Sequence, residues 1–261
     1  MASIIEAVKK IYKSPNALKV HLAFLALAVI STGISLASDS KSVPLIFTAI
    51  AVALVILVYM GCYNIQLMHN SFDENFTLPD FNLSLFKVAG GVFRLALVWF
   101  IYDIFLGIFL VLSIAFTIGT INFNAAIPLA IVCFLYLSFQ QFVMVAYAKN
   151  FDKKGLWNIF LPFKFMRGLF ADWIILMVKY ILSILGFYML LVIVLVAAAG
   201  VITLSGMAVS LSKFNYMLVY PSAVIGSYFG TVIALVYTNC LVQIYQDKKE
   251  WIDAHILPNN D

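Results

Sequence analysis

The sequence predicts an all-α protein, a polytopic transmembrane bundle of six spans built as three helical hairpins with amphipathic interfacial helices on the cytoplasmic side. Three observations carry that expectation. The first is composition. Of 261 residues, 64% are hydrophobic and 11% charged, and mean hydropathy is +1.03. A soluble domain has about 45–50% apolar and about 25% charged residues. So few polar residues cannot cover a water-facing surface, so lipid must be the solvent for most of the chain. The second is a set of six apolar runs, each long enough to cross ~30 Å of hydrocarbon as a helix. The third is charge placement. Thirteen of the sixteen Lys and Arg fall at the N-terminus, in two large loops with their flanks, or in the tail. Lys41 and Lys213 lie in the opposite turns, and Lys179 lies inside a span. The positive-inside rule then puts both termini and both large loops in the cytoplasm.

Ser3-Ile4-Ile5-Glu6 has the form of a capping box, in which the Ser and Glu side chains satisfy backbone donors reciprocally. Behind it, Ile4, Ile5, Val8, Ile11 and Tyr12 share one helix face and Glu6, Lys9, Lys10 and Lys13 the other. Such a helix lies in the interface, its lysines meeting anionic headgroups. Ser14-Pro15 reads as N-cap and first position of the next helix. The spans are then 16–37, 44–68, 92–118, 128–148, 174–202 and 221–245. All six should be helical, because an unpaired backbone is intolerable in lipid.

The longest polar interruption is His69 to Arg94. Its second half reads as a short amphipathic helix against the membrane. The second large loop, 149–172, carries Trp157, Phe160, Phe163 and Phe165 with Lys164 and Arg167. Aromatic and basic neighbours of this kind suit lipid headgroups better than nucleic acid. A weak threefold repeat runs through the single domain 1–261, with units 3–72, 82–151 and 157–247. Tyr12-Lys13, Phe86-Lys87 and Phe163-Lys164 each precede an odd-numbered span.

The run Leu78-Pro79-Asp80-Phe81-Asn82, then Leu85-Phe86-Lys87 and Gly90-Gly91, resembles the signature of a prokaryotic membrane family catalogued as a domain of unknown function, number four thousand and thirteen. The opening segment Ala7-Val8 through Ser14-Pro15 and Leu18-Lys19 is similar too. This chain departs from the family form in lacking an acidic pair after Phe81. The resemblance implies a multi-pass protein of a bacterial or archaeal plasma membrane. It transfers no catalytic or binding residue.

Motifs for chemistry are missing from the sequence. There is no zinc-protease helix, no nucleophile elbow and no phosphate-cradling Gly loop. His21, His69 and His255 lie far apart, and Cys62, Cys133 and Cys240 sit singly in apolar runs. The expectation is therefore a non-enzyme with no cofactor and no metal. Two features stand out. Ser222, Gly226, Gly230, Ala234 and Thr238 form a strip of small residues spaced by four, a helix-packing or dimerisation face. Asp103 and Lys179 are ionisable groups at membrane depth, where such groups default to function or to a structural ion pair. By the repeat register the two should meet. The amides Asn64, Gln66, Gln140, Gln141, Asn239 and Gln243 lie in the inner halves of the even spans. They ring an inward-facing cavity or join helices by hydrogen bonds.

Two functions stay open on these grounds. One is binding or transport of a small or lipidic molecule through a polar intramembrane cavity. The other is an accessory or scaffold role with a basic cytoplasmic docking surface. The expected partners are the bilayer, with anionic lipids at the inner face, and either a protein partner or a second copy.

Overall fold

The structure, a computed structural model, describes residues 2–38, 43–98, 100, 104, 126–152, 157–158, 160–204 and 220–256. Among them every regular element is helical. The elements are α1 (Ile4–Lys13), α2 (Ala17–Ser38), α3 (Val43–Asn70), a 3-10 segment (Leu83–Val88), α4 (89–98), α5 (Ala126–Asn150), α6 (Leu161–Leu204), α7 (Tyr220–Asp247) and α8 (Lys249–His255). Four stretches are long and apolar enough to cross a membrane: Ala17–Ile34, Val43–Asn70, Leu161–Val201 and Tyr220–Asp247. The third predicted span, 92–118, lies mostly outside the described residues, as do the three outer turns.

The helix α7 is the centre of the bundle. It packs against α1, α2, α3, α5 and α6. Burial is concentrated at one end, the end that carries the large loops. There Cys62, Tyr63 and Leu67 of α3, Phe139 and Phe142 of α5, Phe165 and Leu169 of α6, and Leu235 and Tyr245 of α7 are all but sealed from solvent. Aromatic rings fill the space: Phe142 stacks on Phe139 and Phe165, and Phe165 leans on Tyr245. Toward the other end, α3 from Val43 to Val58 and α6 from Ile181 to Val201 present mostly bare apolar side chains. Large apolar patches of that size do not face water in a monomeric soluble protein. A lipid environment satisfies them.

Several local expectations need correction. Ser3 Oγ does accept from Glu6 N–H (3.3 Å), but Ser3 N–H donates to Gln243 Oε1 of α7 (2.8 Å) and not to Glu6. One half of the capping box is thus replaced by a tertiary tie. The inward face of α1 is centred on Ala7 and Ile11, both fully buried, while Ile5 is left exposed. Ser14 does not cap α2. Its hydroxyl accepts from Leu78 N–H (2.9 Å) and donates to Asn16 Oδ1 (2.7 Å). The second large loop is shorter than read, because α6 begins at Leu161 and continues unbroken to Leu204. Asn158 starts it, accepting from Phe160 N–H with its side chain and from Leu161 N–H with its carbonyl. Pro162 sits in the first turn, where a missing N–H costs nothing.

The polar tail is also structured. Here α8 docks under the bundle, with Trp251 lying over Gly168 of α6 so closely that a Cβ there would collide with the indole. Lys149–Asp253 (3.9 Å) and Lys248–Asp172 (3.5 Å) flank that contact.

Candidate functional site

The loop after α3 does not stay on the surface. From Asn70 it turns and runs back along α3. Asn70 Nδ2 donates to the Thr77 carbonyl (2.7 Å), which closes the turn. Leu78 is held at the α1–α2 corner: its N–H donates to Ser14 Oγ, and its carbonyl accepts from Asn16 Nδ2 (2.6 Å). Phe81 then inserts between α2 and α3, stacked on Tyr59 and Tyr63 and edge-on to Phe24. Asn82 caps the 3-10 segment, accepting from Ser84 N–H (3.0 Å) and from the Ser84 hydroxyl. The Asn82 carbonyl accepts from Tyr59 OH (3.3 Å). Tyr59 precedes Asn70 by eleven residues, so the chain retraces roughly 16 Å of α3 at ~1.5 Å per residue. The return is tight. A Cβ on Gly91 would fall 2.5 Å from the Tyr147 ring, and one on Gly61 would fall 2.8 Å from Val92. These glycines let α4 lie against α3 and α5.

Folding back leaves a cleft of about 810 Å³ between the loop, α3 and the end of α5. It is lined by Gln66 and Asn70 of α3, by Asn82, Ser84 and Lys87 of the returning loop, and by Tyr147 and Phe151 at the end of α5. Phe151 is held at φ 52°, an outlier for a bulky residue and a strain of order 1–3 kcal/mol. Three contacts hold it there: its N–H donates to the Tyr147 carbonyl (2.7 Å), and its ring packs on His69 and Tyr147. His69 in turn joins α3 to α5, with Nδ1 2.7 Å from the Ala148 carbonyl oxygen.

At the rim, Asp80 accepts from Lys19 Nζ (3.2 Å) and Asn16 Nδ2 (3.3 Å). The Lys19 hydrogen bond, then that of Asn16, then the Lys19 charge hold the Asp80 carboxyl below its ordinary value of 3.8. A carboxylate with a lowered pKa contributes stability that is complete above the ordinary value and is lost as pH falls through the folded-state value. The cleft rim should therefore loosen only in strong acid, below about pH 4. The protection of the Leu78 amide relative to its intrinsic exchange rate is expected to fall there, and Asp80→Asn should abolish that acid dependence.

The other predicted site residues are dispersed. Asn239 Nδ2 donates to Ser71 Oγ (3.0 Å) and Gln243 Nε2 to Asn239 Oδ1 (3.0 Å), continuing to Ser3. This line ties α1, α7 and the end of α3 together. Gln66 Nε2 donates to Asn70 Oδ1 (2.9 Å) and belongs to the cleft. Asn64 and Gln141 are half-buried. Gln140 is fully buried, and neither polar atom of its side chain has a hydrogen-bond partner among the described residues. An unsatisfied buried amide costs about 1–3 kcal/mol. Gln140→Met should therefore raise the thermal midpoint of the purified protein. An unchanged or lowered midpoint would show that the amide is satisfied.

Lys179 Nζ donates to the Ala2 carbonyl (3.3 Å), which anchors the start of α1 to α6. Asp103 lies outside the described residues, and so does its predicted meeting with Lys179. Gly226 and Gly230 face open space within the described chain, and Gly230 is exposed. Of the five small residues only Thr238 is fully buried. At Gly226 and Gly230 the strip therefore seats no other described helix. Cys62 and Cys240 are free and buried, and no metal-binding group of side chains occurs among the described residues.

Sequence pattern marks Gln66 and the Leu78–Asn82 run but not the cleft they line. Arg94, buried in the middle of α4, reads in the sequence only as the boundary of a loop. Comparison with protein-family models, curated proteins and solved structures gives no match for this chain.

Proposed function

We propose that the protein is a six-span protein of a prokaryotic plasma membrane whose cytoplasmic face carries a binding cleft for a small polar or amphiphilic molecule. The observation that carries this reading is the cleft of about 810 Å³ lined by Gln66, Asn70, Asn82, Ser84 and Lys87. Its size falls in the range of small-molecule sites, about 300–1,000 Å³. A strained Phe151 in its lining is the kind of outlier that persists where the surroundings over-determine it, often at a site. The resemblance of Leu78–Asn82 to a membrane family, and the charge bias of the loops, support the setting.

Binding is favoured over transport. Among the described residues the polar side chains of the cleft do not continue along the bundle: Asn239 and Gln243 are bonded elsewhere, and Gln140 is sealed. A docking role has one observation of its own, the exposed Lys9 and Lys13 on a firmly anchored α1.

The test of binding uses Ser84→Cys and its rate of thiol labelling in purified, delipidated protein. Either the lipid or the aqueous fraction of a host-cell extract should slow labelling. No slowing by either fraction contradicts the proposal. For orientation, Lys41→Cys should react with a membrane-impermeant reagent on intact cells and Lys249→Cys should not. The reverse pattern would invert the topology.

A further inference from the structure

We infer that the cleft holds the headgroup of an anionic phospholipid whose phosphate diester carries a hydroxylated head, with the acyl chains lying outside against the bundle. The inference rests on the binding reading above and names its ligand. Four observations lead to it.

The first is depth. The 28 residues of α3 make a rod of ~42 Å at ~1.5 Å per residue. Hydrocarbon accounts for about 30 Å, and the headgroup layers bring a bilayer to about 40–45 Å. The excess of ~12 Å is shared by the two ends, so the last turn of α3, from Gln66 to Asn70, stands in the headgroup layer. Tyr63, about one turn earlier, then falls just inside the hydrocarbon boundary, near the usual level for tyrosine.

The second is charge. Asp80 and Lys19 answer each other at the rim. Lys87 is exposed, lines the cleft and has no ionic partner among the described residues. The cleft thus carries one uncompensated positive charge, which suits a phosphate diester.

The third is hydrogen-bonding capacity. Gln66 spends its amide N–H on Asn70 and keeps Oε1 as an acceptor. Asn82 spends Oδ1 on Ser84 and keeps its amide N–H₂ as a donor. A site that offers both a donor and an acceptor beside a cation matches hydroxyl groups, which both give and receive. The phosphate of a diester only accepts, and a quaternary ammonium does neither.

The fourth is the outer wall. Leu83 is 82% exposed, and Leu18 (76%) and Leu22 (58%) stand bare on α2 beside the rim residues Asn16 and Lys19. Apolar side chains flanking a polar cleft at this depth give acyl chains a path away from the headgroup.

The experiment uses the full chain in mild detergent, with Ser84→Cys labelling as the readout. The probes are phosphatidylglycerol, phosphatidylcholine with the same acyl chains, and soluble glycerophosphoglycerol. Phosphatidylglycerol should slow labelling at concentrations at least tenfold lower than phosphatidylcholine does. Lys87→Gln should remove that preference, while Lys9→Gln on α1 should keep it. Equal protection by the two lipids would overturn the headgroup assignment and leave the cleft a ligand site. Protection by glycerophosphoglycerol at the same concentration as the lipid would overturn the lipid source. If no probe protects and whole-cell extract fails as well, the binding reading falls with it.

Discussion

Leu235→Ala should lower the unfolding free energy by about 2–5 kcal/mol, the cost of a Leu truncation that leaves a cavity. Gly230→Leu should leave it near the parental value. Leu235 is 1% exposed on the core side of α7, among Val232, Val236 and Asn239. A side chain grown at Gly230 meets nothing within 4 Å in the described chain. Sequence spacing alone suggests the opposite ranking, because glycines at intervals of four mark close helix packing. That rule presumes a second helix seated on the strip. The described helices converge lower on α7, where the large loops close the bundle. Thermal unfolding in detergent decides the matter. A larger loss for Gly230→Leu than for Leu235→Ala would restore the strip as a packing face.

Phe81→Ala should cost on the order of 2–4 kcal/mol, somewhat under the about 3–5 kcal/mol of a fully buried Phe because this ring is only partly covered. The larger consequence is local. The ring is the wedge between Phe24 of α2 and Tyr59 and Tyr63 of α3. Without it the Leu78–Asn82 run is tied to α1, α2 and α3 by polar contacts alone, those of Ser14, Asn16, Lys19 and Tyr59. Protease cleavage in the 71–82 loop should speed up much more than global unfolding does. Phe81→Leu should recover most of the protection. Equal acceleration at remote sites would mean that Phe81 supports the whole bundle and not the cleft in particular.

Helix existence was legible because an apolar run of 20 or more residues has few alternatives in lipid. The observed α2, α3, α5 and α7 lie within a few residues of the runs that announced them. The start of α6 was not legible. Lys164, Arg167 and Asp172 interrupt the hydropathy, yet they leave helix periodicity intact, with Leu161, Phe165, Leu169, Trp173 and Leu176 all facing the core. Hydropathy measures the solvent, whereas the helix is set by backbone bonds and by that buried stripe. The cleft was only half legible. Asp80 and Phe81 could be noticed as a motif, but their meaning lies in contacts with Lys19, Phe24 and Tyr59. Those partners lie from about 20 to more than 60 positions away in the chain. Nothing in local pattern says that a polar loop will turn back along the helix it has just left.

The unbroken α6 has a mechanical consequence. Its 44 residues form a rod of ~66 Å, about twice the thickness of the hydrocarbon it crosses. Among the described residues α5, α7 and α8 pack on its first part, the contacts with α7 reaching Tyr180 on Tyr237 and Phe187 on Phe229, and from Tyr188 to Val201 its side chains are mostly bare. A helix longer than its membrane tilts to fit. Trp251 sits on Gly168 of the same rod with no clearance, so any change of tilt has to be accommodated at the seat of the C-terminal helix.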